Sequence, residues 1–148
     1  MKIRMLVAAA LVAGVVPALA LGGPRAMSPD LSAKLSGSVE VPKGAMAGHG
    51  IVNLTLNSTK GTVCWTFSDV SGLGVASAAH IHKAPAGKAG AVVVPLGGSF
   101  KTKGCQTATK AAIDAIESSP NAYYVNVHTA KYPNGAIRGQ LVAGMMHM

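Results

Sequence analysis

From residue 31 onward the chain alternates apolar and polar side chains with a period of two, and this most narrows what it can fold into. Val52, Leu54 and Leu56 alternate with Asn53, Thr55 and Asn57. After a turn at Ser58-Thr59-Lys60-Gly61, Val63, Trp65 and Phe67 alternate with Thr62, Cys64 and Thr66. A period of two gives a strand one apolar face and leaves a helix with none. Residues 35–41, stopped by Pro42-Lys43-Gly44, and residues 75–82, 91–96, 123–129 and 136–142 read as further strands. The last two are joined by Tyr132-Pro133-Asn134-Gly135, and Asn-Gly between alternating runs signals a hairpin. Residues 108–118 break the pattern. Ala112, Ile113 and Ile116 fall on one side of a short helix, with Thr107 or Thr109 as N-cap. The expectation is an all-β fold: an antiparallel, Greek-key-like β-sandwich with one short helix.

The first twenty residues do not belong to that domain. Lys2 and Arg4 precede an uncharged apolar run over residues 5–16, and Ala18-Leu19-Ala20 is a small-x-small cleavage site. This is the layout of a secretory signal peptide. A membrane span of ~20 residues would need a longer run. The sequence therefore divides into a signal peptide (1–20), a flexible lead-in (21–30), one domain (31–142) and a Met/His-rich tail (143–148), with no span in the mature chain and a periplasmic or extracellular destination. Cys64 and Cys105 are the two cysteines. In an oxidising compartment such a pair forms a disulfide, and without a CxxC a thiolate metal site is disfavoured. The formal charge of +8 falls by two when Lys2 and Arg4 leave. The remaining lysines are scattered singly with little aromatic interleaving, which argues against nucleic-acid binding. A loose attraction to anionic polymers fits the charge.

Chemistry concentrates on the histidines. In a strand His80 and His82 point to one face and Ile81 to the other. Along residues 123–129, Val125 and Val127 share one face, and Tyr124, Asn126 and His128 share the opposite one. With Ile81, Val125 and Val127 inward, His80, His82 and His128 all face outward. If their strands are neighbours, the imidazoles converge into a ligand set for copper, or alternatively zinc. The competing reading is structural, with the histidines hydrogen-bonding loop carbonyls and pinning the Pro/Gly loop that follows Lys83. Met145, Met146, His147 and Met148 form a thioether and imidazole tail suited to Cu(I), to which Met46 and His49 could add. No G-x-S-x-G or P-loop is present, and five carboxylates, none near the histidines in sequence, make a catalytic triad hard to assemble. Arg138 and Lys83 are candidate contacts for an anion or a partner.

Three blocks carry a resemblance. Leu35-Ser36-Gly37-Ser38-Val39-Glu40-Val41-Pro42 opens the domain. Ala79-His80-Ile81-His82 follows, with Gly87, Gly90 and Val92-Val93-Val94-Pro95-Leu96. Tyr124-Val125-Asn126-Val127-His128-Thr129 and Pro133-Asn134-Gly135-Ala136-Ile137-Arg138-Gly139-Gln140-Leu141 close it. In this order and spacing the chain resembles the CHRD (chordin-type) domain, which implies an extracellular β-sandwich and a binding or scaffold role toward a protein or polymer partner. Lys83 stands where that family more often has a small residue. A fainter likeness, to copper/zinc superoxide dismutase, rests on a Greek-key sandwich with an HxH strand. With no aspartate near the histidines, it implies at most a mononuclear site rather than a dinuclear redox enzyme.

Overall fold

The computed structural model describes residues 31–144; the segments expected to be a signal peptide and lead-in, and the expected tail from Met145, lie outside the described residues. Nine strands form one antiparallel sheet: β1 (Leu31–Ser36), β2 (His49–Asn57), β3 (Thr62–Ser71), β4 (Ala76–Lys83), β5 (Ala91–Pro95), β6 (Lys103–Thr107), β7 (Tyr123–Thr129), β8 (Ile137–Gln140) and β9 (Val142–Ala143). The order is β5-β4-β7-β8-β1-β2-β3-β6, with β9 on β1. The segment between β5 and β6 nearly closes the sheet on itself: Phe100 N–H donates to Ser77 O and Phe67 N–H to Thr102 O. The all-β antiparallel fold with one helix and one disulfide is as expected. The two faces of the expected sandwich are two sides of one curled sheet.

The alternating runs do what their period dictates. β2 and β3 pair with Val52 opposite Phe67, Leu54 opposite Trp65 and Leu56 opposite Val63, and all six are buried. Helix α1 (Lys110–Ser118) is capped by Thr109, whose hydroxyl accepts from Ala112 N–H, and inserts Ile113 and Ile116 into the core. Ile81, Val125, Val127 and Ile137 line the same interior. This parity sends their strand neighbours His80, His82, Tyr124, Asn126, His128 and Arg138 to the outer face.

Two segments differ from the sequence expectation. The first strand is not residues 35–41 but Leu31–Ser36, because the chain leaves the sheet at Gly37. Gly37 lies against the Ala45 carbonyl, where a Cβ would have no room. Val39 consequently sits 53 % exposed in a 3-10 turn. Strand β6 had no apolar alternation to announce it. Its Gly104 faces Trp65, and a Cβ there would stand 2.6 Å from the indole. Cys64 and Cys105 are register partners on β3 and β6 and form the disulfide. Among the described residues no helix is long and apolar enough to cross a membrane.

Candidate metal centre

Strands β4 and β7 are adjacent and antiparallel, with Ala78 opposite His128, His80 opposite Asn126 and His82 opposite Tyr124. Roughly 40 residues separate the two strands in sequence, yet the sheet places the three imidazoles side by side. One nitrogen from each of His80, His82 and His128 lies within 4.8 Å of the others.

Backbone carbonyls fix the orientation of two of the rings. His82 Nδ1–H donates to Gly90 O at 2.8 Å, and His128 Nδ1–H donates to Pro133 O at 2.9 Å. A neutral imidazole that donates from Nδ1 carries its lone pair on Nε2. His128 Nε2 therefore accepts from His80 Nδ1–H at 3.0 Å. His82 Nε2 is buried and has no partner among the described residues. The His82 ring stacks on Tyr124 with 4.9 Å between centroids and 9° between planes, which fixes its tilt.

Electrostatics favour the uncharged form of His80 and His82 at neutral pH. Burial pulls the His80 imidazole below its ordinary value, and the nearby His128 and His82 push it the same way. Burial likewise lowers His82, with His128 adding to the effect, while the bond to Gly90 and the neighbouring Asn126 amide act in the opposite direction. Uncharged imidazoles are what a metal requires of histidine. The donor set also fits by chemistry. Metal-bound imidazoles commonly donate their second N–H to a backbone carbonyl, as two of these rings already do. A tetrahedral ion with nitrogen bonds of about 2.0–2.1 Å spaces its donors about 3.3 Å apart; the three nitrogens lie within 4.8 Å of one another, and an ion would have to replace the His80–His128 hydrogen bond.

A strap, residues 84–90, roofs the outer face. His82 and Tyr124 hold Gly90, Arg138 Nη1–H donates to Lys88 O at 2.9 Å, and Gln140 Nε2–H donates to Ala84 O at 2.7 Å. His82 thus bonds a carbonyl of this loop with one nitrogen, as His128 bonds that of Pro133. Arg138 is 2 % exposed. Its guanidinium donates from Nε to Val39 O, pairs with Glu40 at 3.6 Å and lies 4.3 Å over the Tyr124 ring. The sequence assigns Glu40 no role at the site. It is a lone carboxylate between two valines, and nothing local marks it as Arg138's partner. Burial raises its carboxyl above the ordinary range.

The other candidates do not join the cluster. Lys83 follows His82 to the other side of β4 and places its ammonium 5.9 Å from the Tyr123 ring. His49 lies on β2, three strands from β7 and four from β4, where its Nε2 meets Ser71 Oγ at 2.9 Å. Met46 is exposed. Met145, Met146, His147 and Met148 lie outside the described residues.

The chain is therefore a small antiparallel β-domain that presents a trihistidine group on its outer face beside a strapped loop. The CHRD domain matches residues 31–141, and the chain belongs to that family. No curated protein and no solved structure matches it.

Proposed function

We propose that this is an exported CHRD-type binding module that holds a single metal ion, copper or alternatively zinc, on His80, His82 and His128. The carrying observation is that Gly90 O and Pro133 O take the Nδ1 protons of His82 and His128, which leaves both lone pairs on Nε2, in a group whose three rings each bring one nitrogen within 4.8 Å of the others.

Three neutral donors leave the charge of the ion uncompensated. The site is thus suited to an ion that keeps an exogenous ligand, and the half-buried His80 and His128 leave it an approach from solvent. The signal peptide over residues 1–20 and the Cys64–Cys105 disulfide suit a periplasmic or extracellular protein. Met145, Met146, His147 and Met148 serve this reading as an accessory arm for Cu(I) capture. The dismutase-like alternative gains no support, since the described histidine group includes no carboxylate.

The test is a competition titration of the mature chain with Cu(I), Cu(II) and Zn(II), repeated on His80→Ala and His128→Ala. One equivalent bound tightly by the parent and weakly by both variants supports the site. Equal binding by all three proteins assigns the metal to the tail or to the surface and rejects it.

A further inference from the structure

Between Leu96 and Ile113, both fully buried, the chain closes the sheet without burying a residue of its own: none of residues 97–112 is buried. Phe100 and Ala108, both half-buried, are its apolar contacts with the core. The rest of the attachment is polar or covalent. Phe100 N–H donates to Ser77 O, Phe67 N–H to Thr102 O and Ala108 N–H to Gly61 O. The Trp65 indole N–H donates to Lys101 O at 3.0 Å, and β6 pairs with β3 alone. What this segment covers is apolar. Trp65 and Phe67 are buried, with Gly104 lying on the indole and the Phe100 ring 5.2 Å from that of Phe67. An edge with so few buried contacts opens locally before the domain unfolds. The covalent tie across this seam is the Cys64–Cys105 disulfide.

The disulfide stands where a thiol can reach it. Cys64 falls between buried Val63 and Trp65, so the bridge lies on the outer face. Cys105 is exposed and Cys64 half-buried. Attack on a disulfide runs in line with the leaving sulfur. The approach to Cys105 Sγ comes from beyond β6, the last strand of the sheet, whereas the approach to Cys64 Sγ crosses Thr55 on β2. Lys103, exposed and two residues from Cys105 on the same face, attracts a thiolate.

We propose that Cys64–Cys105 is a redox latch, a site of reversible exchange with a dithiol reductant. The reductant's thiolate attacks Cys105 Sγ, and Cys64 leaves as a thiolate. The second reductant thiol then displaces Cys105, so the protein gains two thiols and the reductant becomes the disulfide. With the tie gone, residues 97–107 part from β3 and the sheet opens beside Trp65. None of this involves the histidines, so the test uses metal-free protein.

The probe is dithiothreitol without denaturant, followed by fluorescence and amide hydrogen exchange. The expected result is a red shift from Trp65, the single tryptophan of the chain, that oxidation reverses. Exchange protection of the Phe67, Phe100 and Ala108 amides should fall at least about tenfold. The Ala136 and Leu141 amides, which donate to Val127 O and Tyr123 O, should keep theirs. Glutathione as a second probe should form its mixed disulfide on Cys105, read by peptide mass spectrometry after alkylation of the freed Cys64. Four results overturn the proposal: reduction only where urea has unfolded the domain, unchanged protection in the reduced protein, protection lost at Ala136 and Leu141 together with the rest, or glutathione on Cys64.

Discussion

Replacing His80 by alanine separates a metal site from a structural histidine cluster. Of the three imidazoles, His80 is the one with no hydrogen bond to a backbone carbonyl; its contact is the 3.0 Å bond to His128. Losing one neutral hydrogen bond costs about 1 kcal/mol, which in a domain of this size lowers the melting temperature by about 4 °C. The effect on a bound ion is far larger. Loss even of a group that supports a ligand weakens metal binding 10–100-fold, so loss of the ligand itself should cost at least about 100-fold. With copper or zinc at 100 times the wild-type Kd, the wild type gains about 2.7 kcal/mol, or roughly 11 °C, whereas a hundredfold weaker variant gains about 0.4 kcal/mol. The assay is thermal unfolding with and without metal, in a background shortened to end at Gly144 so that the tail does not contribute. A His80→Ala variant that keeps the full metal-induced shift refutes the reasoning. So does a variant that melts more than about 10 °C lower beside a wild type that metal does not stabilise.

Three further outcomes follow from the geometry. Replacing Cys64 and Cys105 by serine opens a loop spanning 41 residues of sequence separation and should cost about 4 kcal/mol by chain entropy, read by urea unfolding under oxidising conditions; a loss below about 1 kcal/mol contradicts it. Arg138→Met leaves Glu40 buried without its cation and the Val39 and Lys88 carbonyls without their donor, so unfolding should become easier by about 3–5 kcal/mol, and the double change with Glu40→Met should recover part of that; equal stability of single variant and wild type contradicts it. The folded values of His80 and His82 lie below the ordinary 6.5, so the unfolded chain binds more protons on acidification. Their contribution is complete above about pH 6.5 and is lost as the pH falls toward the folded values; urea unfolding at pH 8 and pH 5.5 should show the decline, and a double change of His80→Ala and His82→Phe should flatten it.

Much of this was written in local sequence. The β2–β3 pairing follows from two alternating runs around Ser58–Gly61, and the helix from its Thr109 cap and the Ile113/Ile116 spacing. The outward direction of His80, His82 and His128 follows from the inward direction of Ile81, Val125 and Val127. The adjacency of β4 and β7 was not legible, because strand pairing at long sequence separation is set by topology rather than by either strand's residues. The acceptors that fix the tautomers were hidden for a different reason. Gly90 O and Pro133 O are backbone atoms, and every residue has a carbonyl. Strand β6 escaped because its place opposite Trp65 calls for Gly104, and the rest of the strand is polar.

The most direct test of the central claim is the metal content of the mature protein, purified from the periplasm without a histidine tag and analysed by mass spectrometry. The account predicts close to one equivalent of copper or zinc per chain, absent from His80→Ala prepared identically. A wild-type protein that emerges metal-free and fails to acquire an ion on exposure to copper or zinc contradicts it, and would leave the three histidines as a hydrogen-bonded fastening for the strap.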